Sequence, residues 1–338
     1  MTLPKSALWQ RLRQRALDAV PAGAHVSFRS PLTLASWQAR GTYTVASTAV
    51  NKFTIAASST DFGGALISDA AYHLDHALEH QASLMGVVEG PEWSSPAWQI
   101  VTFYYWGYFA AMALSRMLGH ALWFVTPEVA KQFTRLAPAG AVSMSKGTYE
   151  IICGSALSAG TREILLLKRN RRIHEQLWGT VFSLIKEVYT EVGPGVASSQ
   201  EERLFLAIIA SAKVLGDDWP SALRNVVNYR PGFAYTAPRS KNRLDTFAYL
   251  STAEQTIDGL IDRLENNTIL MRGDPSIERQ PNLAARMLVD LTVLLSRISH
   301  TLHDEIVDRN HLDRRWLNSK NRFEQQRGLK VGGKSWPC

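Results

Sequence analysis

The stretch Leu223-Arg224-Asn225-Val226-Val227-Asn228-Tyr229-Arg230 sets two arginines and two asparagines among apolar residues, and Pro231-Gly232 closes it. An arginine beside a helix end can hold a phosphate. Metal-free cleavage of RNA needs more: a general base for the ribose 2′-hydroxyl and a group that stabilises charge at phosphorus. Histidine suits the base because its pKa lies near neutrality. Tyr229 suits it poorly, because a free phenol titrates at about pH 10. Arg224, Asn228 and Tyr229 thus read better as a binding or structural set than as a complete catalyst. In the structural alternative, Arg224 pairs with a buried carboxylate and Tyr229 packs at the helix end.

A second arginine–histidine pair lies in RISHTLHDEIVDRNH, where five residues separate Arg297 from His303. On a helical wheel, Arg286, Asp290, Arg297, His300 and Asp304 fall opposite an apolar stripe of Met287, Leu291, Leu294, Leu295, Ile298, Leu302 and Ile306. His303 falls between the two faces. The spacing predicts a solvated polar face, with His300 beside Asp304. The chemical alternative is that Arg297 and His303 act on RNA, so both join Arg224, Asn228 and Tyr229 as candidate catalytic residues.

Asp69, His73, His76 and His80 recur at helical spacing, forming one stripe about 16 Å long. Adjacent imidazoles in such a stripe can chelate Zn²⁺ or Fe²⁺, but one helix supplies only two ligands to any one ion. No CxxC or HExxH accompanies them. A polar stripe facing a groove or a partner helix is the favoured reading, and no metal or other cofactor is expected.

Two pattern matches fail on physical grounds. Gly328-Leu-Lys-Val-Gly-Gly-Lys-Ser335 fits the phosphate-loop pattern, but only Trp336, Pro337 and Cys338 follow, too few for the helix whose amides would hold phosphate. Ser143-Met-Ser-Lys146 matches S-x-x-K, but the companion S-D-N and K-T-G elements are absent.

The net charge of +7 is unevenly spread. Residues 309–338 hold eight Lys/Arg against Asp313 and Glu324, a local balance of +6, interleaved with Trp316, Phe323 and Trp336. A second basic zone runs from Trp219 to Leu244, and a third is Lys168-Arg169-Asn170-Arg171-Arg172. Basic clusters beside aromatics point to a polyanion, here RNA, with Lys168, Arg169, Arg171, Arg172, Arg230, Arg314 and Arg315 as candidate contacts.

Composition sets the outer bounds. Hydrophobic residues are 46% and charged residues 20%, a globular balance. The cysteines, Cys153 and Cys338, are too few for a disulfide framework and suit a reducing cytosol. The N-terminal run lacks the apolar core of a signal peptide. No charge falls between Glu92 and Arg116, yet Gln99, Thr102 and three tyrosines interrupt that run, so it predicts a buried helix rather than a membrane span. A cytoplasmic protein is expected.

The elements that must position these residues are mainly helical. Periodicity predicts helices over 4–20, 65–85, 96–125, 171–191, 199–215, 219–229, 251–266 and 281–309, and a short one capped by Thr126. One or two strands are expected within 24–60. A hairpin is expected around Ser145-Lys146-Gly147, with Thr161–Arg169 as a third strand. The fold class is a mainly α helical bundle with a small inserted β-hairpin element. Its segments are 1–60, a core of 61–245 with β insertion near 138–168, C-terminal helices over 246–309, and a basic tail from 310.

Phe103-Tyr-Tyr-Trp-Gly-Tyr-Phe-Ala-Ala-Met-Ala-Leu114 resembles the tyrosine-rich helix of HEPN domains, and Arg224-Asn225 resembles the start of their arginine motif. That motif ends in a histidine, where this chain has Tyr229. Asn228-Tyr229 is closer to the ending of non-catalytic HEPN families. The resemblance covers about residues 95–235 and implies a ribonuclease, or an inactive RNA-binding relative, of a prokaryotic toxin or antiviral defence system. It also implies a homo-oligomer or a partner protein. A non-enzymatic helical scaffold or sensor is the alternative.

Overall fold

Apolar residues at helical and alternating spacing build ten helices and five strands among the described residues of this computed structural model, 6–24, 33–89, 96–229 and 256–310. In chain order they are α1 (Ala7–Ala19), α2 (Leu34–Arg40), β1 (Tyr43–Ala49), β2 (Lys52–Ser58), α3 (Ser59–Glu89), α4 (Pro96–Met117), β3 (His120–Val125) and α5 (Pro127–Leu136). Then follow β4 (Gly147–Ser158), β5 (Thr161–Arg169), α6 (Ile173–Val192), α7 (Ser199–Leu215), α8 (Trp219–Tyr229), α9 (Ile257–Gly273) and α10 (Pro281–Arg309). The mainly α class holds. No helix among the described residues is long and apolar enough to cross a membrane.

The β part is larger than a hairpin. Five antiparallel strands pair in the order β1-β2-β5-β4-β3. No hairpin turn forms at Ser145–Gly147: β4 begins at Gly147, and the chain reverses at Ala159-Gly160, where Gly160 takes φ 83°. Ser and Gly near position 145 signal a break, but the break is where an irregular segment joins a long strand. The strands within 24–60 are β1 and β2, joined through Asn51 at φ 62°, a left-handed backbone that asparagine tolerates. Alternate residues Tyr43, Val45, Phe53, Ile55, Tyr149, Ile151, Ile164 and Leu166 are buried, as a face packed on a core requires.

The uncharged run of 96–125 is one helix and one strand, not one helix. Gly119 ends α4 at φ 81°, and its carbonyl accepts from Cys153 N at 2.8 Å, which draws the following residues into the sheet. Helix α5 matches expectation: Pro127 opens it, and Thr126 accepts from Val129 N.

Helices α4 and α10 form the centre. Gly107 lets their backbones approach, since a Cβ there would lie 2.5 Å from Thr292 Oγ1. Trp106 Nε1 donates to Ser296 Oγ at 3.0 Å, and Ser299 Oγ donates to the Ala110 carbonyl at 2.9 Å. Helix α10 is buried nearly all round, because α4, α9, α3, α1 and α8 surround it. The solvated face expected there holds only in part: Asp290 and His300 are buried, Arg297 and Asp304 are half-buried, and Arg286 is exposed. Asp290, fully buried, accepts from Arg263 Nε and Nη2, and the buried Glu305 carboxylate pairs with Arg13 and Arg309. One apolar core runs from Leu8 to Val307, with Trp9, Trp37, Trp178 and Trp219 among its largest buried side chains.

Candidate functional site

Tyr104, Tyr105, Tyr108 and Phe109 recur at helical spacing on α4 and meet three other helices. Helix α3 brings His73, His76 and His80. The first turn of α6 brings His174. Helix α8 brings Arg224. Packing of α4 against α3, α6 and α8 assembles the cluster, so it depends on contacts far apart in sequence.

Arg224 is its cationic centre. Nη2 donates to Tyr105 Oη at 3.0 Å and Nη1 to Asn225 Oδ1 at 2.9 Å. The guanidinium carbon lies 5.8 Å from the Tyr104 ring centroid and 5.9 Å from that of Tyr105, within cation–π range. Among the described residues no carboxylate pairs with it, and its buried Nε makes no hydrogen bond. The side chain is half-buried, so its charge is neither cancelled nor sealed from solvent. Burial works most strongly against that charge, but the Tyr105 hydroxyl, together with Tyr104 and Tyr229 nearby, outweighs it and raises the guanidinium pKa.

His174 lies beside it, and its Nδ1 is hydrogen-bonded to Tyr104 Oη at 2.8 Å. That oxygen also accepts from Trp178 Nε1 at 3.4 Å. The imidazole stacks on Tyr108 with centroids 4.5 Å apart. Its orientation is fixed, with Nε2 as its second polar atom. Burial, then the Arg224 charge, push His174 below the ordinary histidine range, so it is neutral near pH 7. Burial pushes the Tyr104 phenol up and that of Tyr108 up to about 12, so both stay protonated.

The histidine stripe completes a row of rings. His76 stacks on Phe109 at 4.9 Å, and His80 stacks on Phe109 at 5.6 Å and Tyr105 at 5.7 Å. His73 is the buried end. Asp69 Oδ2 lies 3.4 Å from its Nε2 without hydrogen-bond alignment, and Asp69 pairs with Arg116. Burial, then the Arg116 charge, lower His73 to about 4. Burial raises Asp69, but Arg116 and His73 together outweigh it and hold the carboxyl below its usual range. Burial, then His76, lower His80. These rings pack on aromatics, and among the described residues no group of three or more His, Cys, Asp or Glu side chains could hold a metal.

The other expected site residues are scattered. Asn228 is half-buried, one helical turn beyond Arg224. Tyr229 is 73% exposed, so it does not pack at the helix end, and Arg224 holds phenols rather than the expected carboxylate. Both halves of that structural alternative are overturned. His303 is 3% exposed, and Arg297 is mostly buried, which lowers its pKa. Six positions apart on a straight helix, the two sit about 120° apart around the axis. Lys168 donates to Ser145 Oγ at 2.8 Å, and Arg169 donates through Nε to buried Glu150 at 2.7 Å. Arg171 pairs with Asp217 at 2.8 Å, and Arg172 is exposed at the N-cap of α6. Arg230, Arg314, Arg315, the basic tail and Gly328–Ser335 lie outside the described residues.

His174 was missed. It follows the basic run 168–172, where it reads as one more polar residue opening a helix, and nothing local marks its contact with a tyrosine 70 residues earlier. No family model, curated protein or solved structure matches this chain.

Proposed function

We propose that this chain acts on RNA at Arg224, as a HEPN-like ribonuclease that needs no metal. One observation carries the reading: a guanidinium with no carboxylate partner among the described residues and a neutral imidazole meet at Tyr104 and Tyr105 on a half-exposed face. Arg224 takes a phosphodiester oxygen and offsets charge that grows at phosphorus.

In this mechanism His174 removes the proton of the 2′-hydroxyl, and the 2′-oxygen bonds to phosphorus. The bond from phosphorus to the 5′-oxygen breaks, and that oxygen takes up a proton from the imidazolium or from water. The products are a 2′,3′-cyclic phosphate and a 5′-hydroxyl. His174 thus takes the role that the HEPN motif gives to the position of Tyr229. The toxin and antiviral defence setting follows from the resemblance.

Tyr229 in place of the motif's histidine favours a second reading, an RNA-binding relative without chemistry. Incubating single-stranded RNA with the purified protein in EDTA separates the two. The ribonuclease leaves cyclic phosphate ends, whereas the inactive relative shifts RNA in a binding assay and leaves it intact.

A further inference from the structure

A groove of about 500 Å³ opens between α5 and residues 143–146. Its apolar lining includes Ala130 and Met144, both buried, and its polar lining includes Lys131, Arg135, Lys146 and Ser143. Ser143 and Lys146 are the ends of the S-x-x-K match that has no acylating context, and the fold gives them a shared place.

Many arginines of this molecule are paired, whereas exposed cations such as Lys52, Lys186, Lys213 and Arg272 are not, among the described residues; what sets this groove apart is that three cations of the second kind line one concavity. Arg15, Arg116, Arg169, Arg171, Arg203, Arg263 and Arg279 each hold a carboxylate. Lys131, Arg135 and Lys146 are exposed and form no ion pair among the described residues. Glu128 feels Lys131 only beyond ion-pair distance. Lys131 and Arg135 stand four apart on α5, on one face, where like charges repel. Lys168 adds a fourth cation beside the groove through its bond to Ser145. Repelling cations gathered around a concave apolar floor gain most from a bound anion.

We propose that this groove is a second anion site, separate from Arg224, for a small phosphate-bearing ligand with a flat apolar part, of the size of a nucleoside diphosphate. The volume suits a small molecule. The cations and the Ser143 hydroxyl take the phosphates, and the apolar floor takes the ring.

Calorimetric titration of the full chain with ADP, pyrophosphate and a single-stranded RNA oligonucleotide tests this. ADP is expected to bind, more tightly than pyrophosphate, with affinity that falls as salt rises. The triple variant K131A/R135A/K146A is expected to lose about tenfold or more in ADP affinity. Arg224→Ala is expected to keep it, so failure of the ribonuclease reading leaves this result readable. Circular dichroism checks the fold, and single variants Lys131→Ala and Arg135→Ala replace the triple one if it does not fold. No ADP binding, or ADP affinity unchanged in the variants, overturns the proposal. So does loss of RNA binding alone, which would make the groove part of an RNA track.

Discussion

Arg224 on α8 donates to the Tyr105 hydroxyl on α4 at 3.0 Å, across 119 residues of sequence. The bond ties the first arginine of the stretch Leu223–Arg230 to the tyrosine-rich helix. Tyr105→Phe keeps the ring and removes the acceptor. The variant is expected to unfold in urea with a loss of about 1 kcal/mol. Unchanged stability would mean that the phenol does not hold the guanidinium.

His174 should titrate below the usual histidine range, because burial and then Arg224 disfavour its charged form. Nuclear magnetic resonance of the imidazole is expected to show this, and Arg224→Gln is expected to raise the value by removing the nearby charge. Cleavage should then persist into mildly acidic buffer and fall as His174 protonates. A His174 that titrates at or above the ordinary value removes the neutral base from the mechanism.

His73 makes stability depend on pH. Its folded value is about 4 against 6.5 ordinarily, lowered by burial and then by Arg116. Between those values the unfolded chain binds a proton that the folded chain refuses, so stability falls as pH drops from 6.5 towards 4. The full effect is about 3 kcal/mol. His80 and His174, also lowered, act in the same direction. His73→Phe is expected to flatten the slope of unfolding free energy over that window, and an unchanged slope would deny His73 this role.

Gly107→Ala should separate α4 from α10, because the new Cβ meets Thr292 Oγ1 at 2.5 Å. A loss of about 2 kcal/mol in thermal or urea unfolding is expected. Thr292→Ala in the same chain removes that oxygen and is expected to restore part of it. Equal losses in the single and double variants would place the strain elsewhere.

Much of the helical frame was legible. Thr126 with Pro127, the stretch from Trp219 to Tyr229, and Pro281 as a helix start are local signals, and each element lies where they put it. Burial of the uncharged run was legible too, because Tyr104 and Tyr105 needed partners for their hydroxyls and have them. Its division at Gly119 was not, since the strand after it forms only against β4, 30 residues on. The polar face of α10 misled because a wheel shows spacing, not what packs around the helix. Asp290 is buried against an arginine that the wheel does not contain. The site was half legible: Arg224 and the tyrosine-rich helix carry sequence signals, while His174 is recruited through tertiary packing alone.

Denaturing electrophoresis of end-labelled single-stranded RNA, incubated with the purified chain in EDTA, tests the central claim most directly. Cleavage leaving 2′,3′-cyclic phosphate ends is expected from the wild-type protein, and loss of it from both Arg224→Ala and His174→Ala while each remains folded. RNA left intact by the wild-type protein, or cut equally well by both variants, contradicts the assignment of Arg224 and His174 as a metal-free ribonuclease site.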